Sequence, residues 1–95
     1  MNTEDNSDFF IQQLHDILLK DWDPKNIKNK PDFEDEYDSY IEDILDILSE
    51  ESASKEQIQG LLLYIVQETM KLKPNEKTTT MVTNKIWQAF ENFLN

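Results

Sequence analysis

The chain has 95 residues, enough for one domain with its own core and too few for two. Twenty acidic residues against nine lysines, with no arginine, give a net charge of −11; such a surface repels phosphate and lacks the guanidinium fork that reads it, which excludes a nucleic-acid-binding role. The absence of cysteine excludes disulfides, thiolate metal sites and cysteine nucleophiles.

Residues 1–7 read as a disordered tail and 8–95 as the single domain. Met1 to Asp8 is polar and acidic where a secretory leader would be basic and then apolar, and no apolar run approaches the roughly 18 residues of a membrane span. A cytoplasmic protein with no membrane attachment is expected. Asn6-Ser7-Asp8 offers capping side chains, and Phe10, Leu14, Ile17 and Leu18 follow at helical spacing with Trp22 near the end, so a first helix is predicted over about 8–22. Asp23-Pro24 breaks it, because the residue before proline avoids the helical region. The loop to Lys30 is polar and lysine-rich apart from Ile27.

Pro31 and Asp32 predict the start of a second helix, proline being tolerated in the first turn and carboxylates favoured there. Phe33, Tyr37, Tyr40, Ile41, Ile44, Ile47 and Leu48 then fall on one broad stripe. Ser54 and Gln57 have the spacing of a capping box and open a third helix. Its stripe is Ile58, Leu61, Leu62, Ile65, Val66 and Leu72; Leu63 and Tyr64 lie off it, so residues 61–66 are apolar nearly all round and call for a central place or a covering partner. Pro74 ends this region and Asn75 caps again. Val82, Ile86, Ala89, Phe90 and Phe93 define a fourth helix reaching nearly to Asn95, with a weak first turn at Thr78 to Thr80. With no strand-like alternation, the expected fold is all-α: a single four-helix antiparallel bundle-like domain.

Catalytic chemistry finds no foothold in this pattern. His15 is the only histidine, without a partner visible in the sequence, and Gly60 is the only glycine, which rules out a glycine-rich phosphate cradle. A faint calcium-loop spacing from Asp21 to Asp32 fails where Lys25 and Asn26 replace the fifth ligand and the glycine. The run from Asp32 to Glu51 holds ten carboxylates and no basic residue. On a helical wheel Asp35, Asp38, Glu42 and Asp46 lie opposite the apolar stripe, as a solvated face does, whereas bundle metal sites point their carboxylates inward. Glu36 and Asp43 lie nearer the stripe's edge. No cofactor, no metal and no enzymatic activity are expected.

Two motifs, Trp22-Asp23-Pro24 and Asp35-Glu36-Tyr37-Asp38-Ser39-Tyr40, are separated by the short loop that contains Ile27. Together they resemble an uncharacterised family of small bacterial all-helical proteins of unknown function, in which W-D-P closes a first helix and D-E-Y-D-x-Y opens a second. The likeness covers about residues 9–72 and implies a short, helical, cytosolic protein. It marks Trp22, Asp23, Pro24, Asp35, Glu36, Tyr37, Asp38 and Tyr40 as family-like positions. This chain departs from the pattern in carrying lysines and asparagines where members often have glycine or valine in the loop. Both tyrosines share the stripe of the core aliphatics, so the motifs read as a structural clasp between two helices.

The function expected on these grounds is a non-catalytic protein-interaction module, immunity-like or regulatory, that docks a basic partner. Glu36, Glu42, Asp43 and Asp46 would meet that partner, with the off-stripe Tyr64 and Phe9 as anchors. The alternative is a small-ligand or divalent-metal protein using the loop carboxylates Asp23, Asp35 and Asp38. A homodimer burying the off-stripe face of the third helix is the remaining arrangement the sequence admits.

Overall fold

The computed structural model describes residues 3–94, with side chains from Ser7 on. Four α-helices and no strand are present among these residues: α1, Thr3–Asp16; α2, Ser39–Leu48; α3, Lys55–Tyr64; and α4, Glu76–Leu94. The all-α, bundle-like architecture expected from the apolar stripes is the one observed. α1 begins ahead of Asp8, at Thr3; the rest of the expected tail, Met1 and Asn2, and the terminal Asn95 lie outside the described residues.

Two helices continue as wider, π-helical segments, α1 into Ile17–Trp22 and α3 into Ile65–Thr69. A residue spacing shows why the first one widens. Phe10, Leu14, Leu18 and Trp22 are all buried and recur every four residues; at 3.6 residues per turn each such step drifts by about 40°. A π turn takes in an extra residue, cancels that drift and returns Trp22 to the core side. A left-handed residue follows each segment, Asp23 with φ 33° as the cap of the first and Lys71 with φ 58° one residue beyond the Met70 cap of the second. The Asp23 N–H donates to the Leu18 carbonyl, and the N–H groups of Met70 and Leu72 donate to those of Ile65 and Val66. This stop at Thr69 turns Leu72 out to solvent, correcting its expected place in the core.

The second helix also starts later than expected. Pro31–Phe33 forms a 3-10 turn, residues 34–38 continue in tight turns, and α2 begins only at Ser39. Asp32, Glu34, Asp35, Glu36 and Asp38 would crowd like charges at three- and four-residue spacing in a regular helix, which is destabilising. The backbone instead forms three-residue turns, such as Glu36 N–H to Phe33 O and Asp38 N–H to Asp35 O. Phe33 is consequently 45 % exposed and leaves the apolar stripe.

The caps at the other helix starts follow the sequence. Ser54 and Gln57 form a reciprocal capping box at α3, and the Asn75 side chain accepts from the Thr78 N–H at α4. The first turn of α4 is further held by Thr79, whose buried hydroxyl donates to the Asn75 carbonyl.

Neighbouring helices run antiparallel. Phe10 of α1 stacks on Phe93 of α4, while Asp21, farther along the first helix, pairs with Lys85, earlier in α4. Likewise α3 meets α4 and α2 meets both α1 and α3, closing a four-sided arrangement. Leu14, Leu18, Ile44, Ile58, Leu62 and Ile86 are completely buried at its centre; each contributes roughly 1.5–3 kcal/mol by leaving water. The radius of gyration, 13.1 Å, is near the ~13 Å of a compact hundred-residue domain.

Candidate functional site

The antiparallel packing brings the end of the first helix and the start of the second to one end of the bundle, and with them both motifs. Asp23 is the hub. One of its carboxylate oxygens accepts from the Ile27 N–H at 2.8 Å and from the Tyr37 hydroxyl at 2.8 Å. The other accepts from the Lys28 N–H at 3.1 Å. The left-handed backbone at Asp23 makes this possible, turning the chain so that the following loop folds back over the side chain. The Tyr37 hydroxyl also accepts from the Lys25 N–H at 2.9 Å. Trp22 lies against both tyrosines, 5.4 Å from Tyr37 and 6.1 Å, edge to face, from Tyr40.

Tyr37 is buried, and its phenol is held far above the ordinary tyrosine range. Desolvation is the main cause, followed by the hydrogen bond to the Asp23 carboxylate, which a phenolate could not donate. At pH 7 the phenol is therefore a fixed donor to Asp23 and a fixed acceptor for the loop.

Two contacts flank this centre. The His15 Nδ1 lies 2.6 Å from an Asp38 carboxylate oxygen, and the Lys25 ammonium pairs with Glu36. His15 thus has a partner that the sequence did not reveal, contrary to its reading as isolated. Asp38, its side chain 42 % exposed, turns toward His15 and is not part of a helical outer face, because the chain is not yet helical there. Nor does Asp38 cap α2 with its side chain; the loop N–H groups go to Asp23 instead. Pro24 is partly buried beside this cluster, and Asp35 is exposed.

The six residues expected to meet a partner are dispersed. Glu36 belongs to the motif end through its pair with Lys25. Glu42, Asp43 and Asp46 are exposed along α2. Phe9 on α1 is 66 % exposed and Tyr64 on α3 is 61 % exposed, as their off-stripe positions predict. Of the loop carboxylates weighed as a ligand site, Asp23 and Asp38 already hold intramolecular partners. No group of three or more His, Asp or Glu side chains suited to a metal ion occurs among the described residues. No helix among them is long and apolar enough to cross a membrane.

No family model, no curated protein and no solved structure matches the chain.

Proposed function

We propose that the protein is a non-catalytic interaction module that docks a basic protein partner through the acid-rich side of α2. One observation carries this reading. Glu42, Asp43 and Asp46 are exposed on a helix that contains no lysine, and none belongs to an ion pair among the described residues. At the motif end Asp23, Glu36 and Asp38 are engaged within the chain; these three remain available. Their field would draw in a cationic surface and make association strongly salt-dependent.

The test is affinity capture from host extract across a salt series, with the triple variant Glu42→Lys, Asp43→Lys, Asp46→Lys alongside the wild type. The wild type should retain a basic protein at low salt and release it as salt rises, and the triple variant should not retain it. Capture that is indifferent to both salt and charge reversal refutes the reading.

A further inference from the structure

At the end of the bundle opposite the motifs, α1, α2 and α4 leave a groove of about 420 Å³. Three phenylalanines contribute to its base: Phe10 is buried, stacked on Phe93 at 4.8 Å and tilted against Phe90 at 6.2 Å. Leu45 and Leu48 of α2 line it as well, and Ile11 and Leu94 extend it to the surface. Those last two are large aliphatic side chains, 40 % and 64 % exposed, and single exposed aliphatics are unremarkable on a protein surface. Here they edge a concave apolar site, where a partner has something to bury.

The charge around the groove specifies the partner. The helical stretches that frame it, 3–16 of α1, 39–48 of α2 and 86–94 of α4, contain no lysine. Exposed carboxylates adjoin lining positions in the sequence of all three helices, each about 100° around its helix from that position: Asp8 after Ser7, Asp46 after Leu45, and Glu91 after Phe90. The lysines gather elsewhere. Six of the nine lysines lie at the motif end, where Lys25, Lys28 and Lys30 follow the first helix, Lys71 and Lys73 follow the third and Lys77 opens α4; Lys55, at the start of α3, stands at the groove end. The molecule is thus polarised, with its apolar groove inside the acidic pole.

From this juxtaposition we infer that the groove takes an amphipathic segment of a partner protein whose apolar side chains fill it and whose flanking lysines or arginines meet Asp8, Asp46 and Glu91. This deepens the proposed function and rests on it. Two copies meeting groove to groove would bring two acidic poles together, so charge favours a basic segment over self-association. Helix-in-groove recognition uses apolar anchors at i, i+3, i+4 and i+7, and an apolar groove with a polar rim suits such a pattern.

The experiment titrates the full chain with three labelled synthetic peptides and follows anisotropy and backbone amide shifts. One peptide has leucines at i, i+3, i+4 and i+7 with lysines elsewhere, the second has the same composition scrambled, and the third has glutamates in place of the lysines. The first should bind at least tenfold more tightly than either control, with shifts centred on Ile11, Leu45 and Leu94. Ile11→Gln with Leu94→Gln should weaken it about tenfold without changing the melting temperature appreciably, since both residues are exposed; Asp46→Lys should weaken it several-fold at low salt. Equal binding of the scrambled basic peptide would overturn the groove while leaving the basic-partner reading intact. Equal binding of the glutamate peptide would overturn both. Failure of all three to bind would overturn the groove and leave extract capture to judge the broader reading. A dimer in sedimentation that Ile11→Gln with Leu94→Gln abolishes would assign the groove to a second copy and refute the inference.

Discussion

The two ends of this bundle use the same residue types in opposite ways. At the motif end, carboxylates and aromatics close on one another: Asp23 accepts three hydrogen bonds, Asp38 meets His15, Glu36 meets Lys25, and Trp22 packs against two tyrosines. At the other end, carboxylates stand in water and apolar side chains line an open groove. A conspicuous motif is thus consumed in holding the chain together, and the unspent chemistry lies where no motif drew attention. Ion pairs at the exposed positions add little, about 0–1 kcal/mol each, so the difference rests on hydrogen bonds to partly buried groups.

The largest effect should come from the hub. Asp23→Ala removes the acceptor of two backbone N–H groups and the Tyr37 hydroxyl and places a methyl side chain on a left-handed backbone. A loss of about 3 kcal/mol is expected, given roughly 1–3 kcal/mol for each buried group left unpaired and the partial solvent access here. Asp23→Asn keeps an acceptor oxygen and tolerates the left-handed conformation, so it should lose about 1 kcal/mol. Urea midpoints check both. If Asp23→Ala unfolds at the wild-type midpoint, the motif end is not the tightly held region described here.

Tyr37→Phe tests the same end with a smaller change and adds a pH dependence. The hydroxyl is lost but the ring still fills its place against Trp22, so about 1–2 kcal/mol should go. In the folded chain the phenol holds its proton above the ordinary range, chiefly through burial and then through Asp23. The unfolded chain gives up that proton first, near pH 10. The contribution of Tyr37 is therefore complete below about pH 10 and declines as pH rises further. Wild-type stability should converge on that of Tyr37→Phe in urea titrations carried upward from pH 9; parallel curves would contradict the placement of this hydroxyl.

The contrast also separates what sequence can and cannot reveal. Helix number, the capping box at Ser54 and Gln57, and the exposure of Phe9 and Tyr64 follow from local spacing, and local spacing is what a sequence displays. The delayed start of α2 goes with a hydrogen bond from Tyr37 to a carboxylate fourteen positions earlier and with the repulsion among the five carboxylates of residues 32–38. The two π-helical segments answer to the core they must face. His15 and Asp38 are 23 positions apart and meet only because the first two helices fold back on each other. The groove needs three helices to be complete, and Ile11, Leu45 and Leu94 come from one each.

The smallest expected effect is at Asp46, and its sign is informative. This carboxylate lies near the C-terminal end of α2, which has no basic residue in its last turn. The helix dipole is negative there, so a carboxylate is unfavourable by a few tenths of a kcal/mol, and the other exposed acids of the helix add repulsion at low salt. Asp46→Asn should accordingly raise stability by about 0.3 kcal/mol, with the gain fading as salt is added, while Asp23→Asn lowers it. Paired urea titrations at low and high salt measure both differences. The same isosteric change at two aspartates would then move stability in opposite directions: Asp23 works within the fold, whereas Asp46 is held against the local field of its own helix.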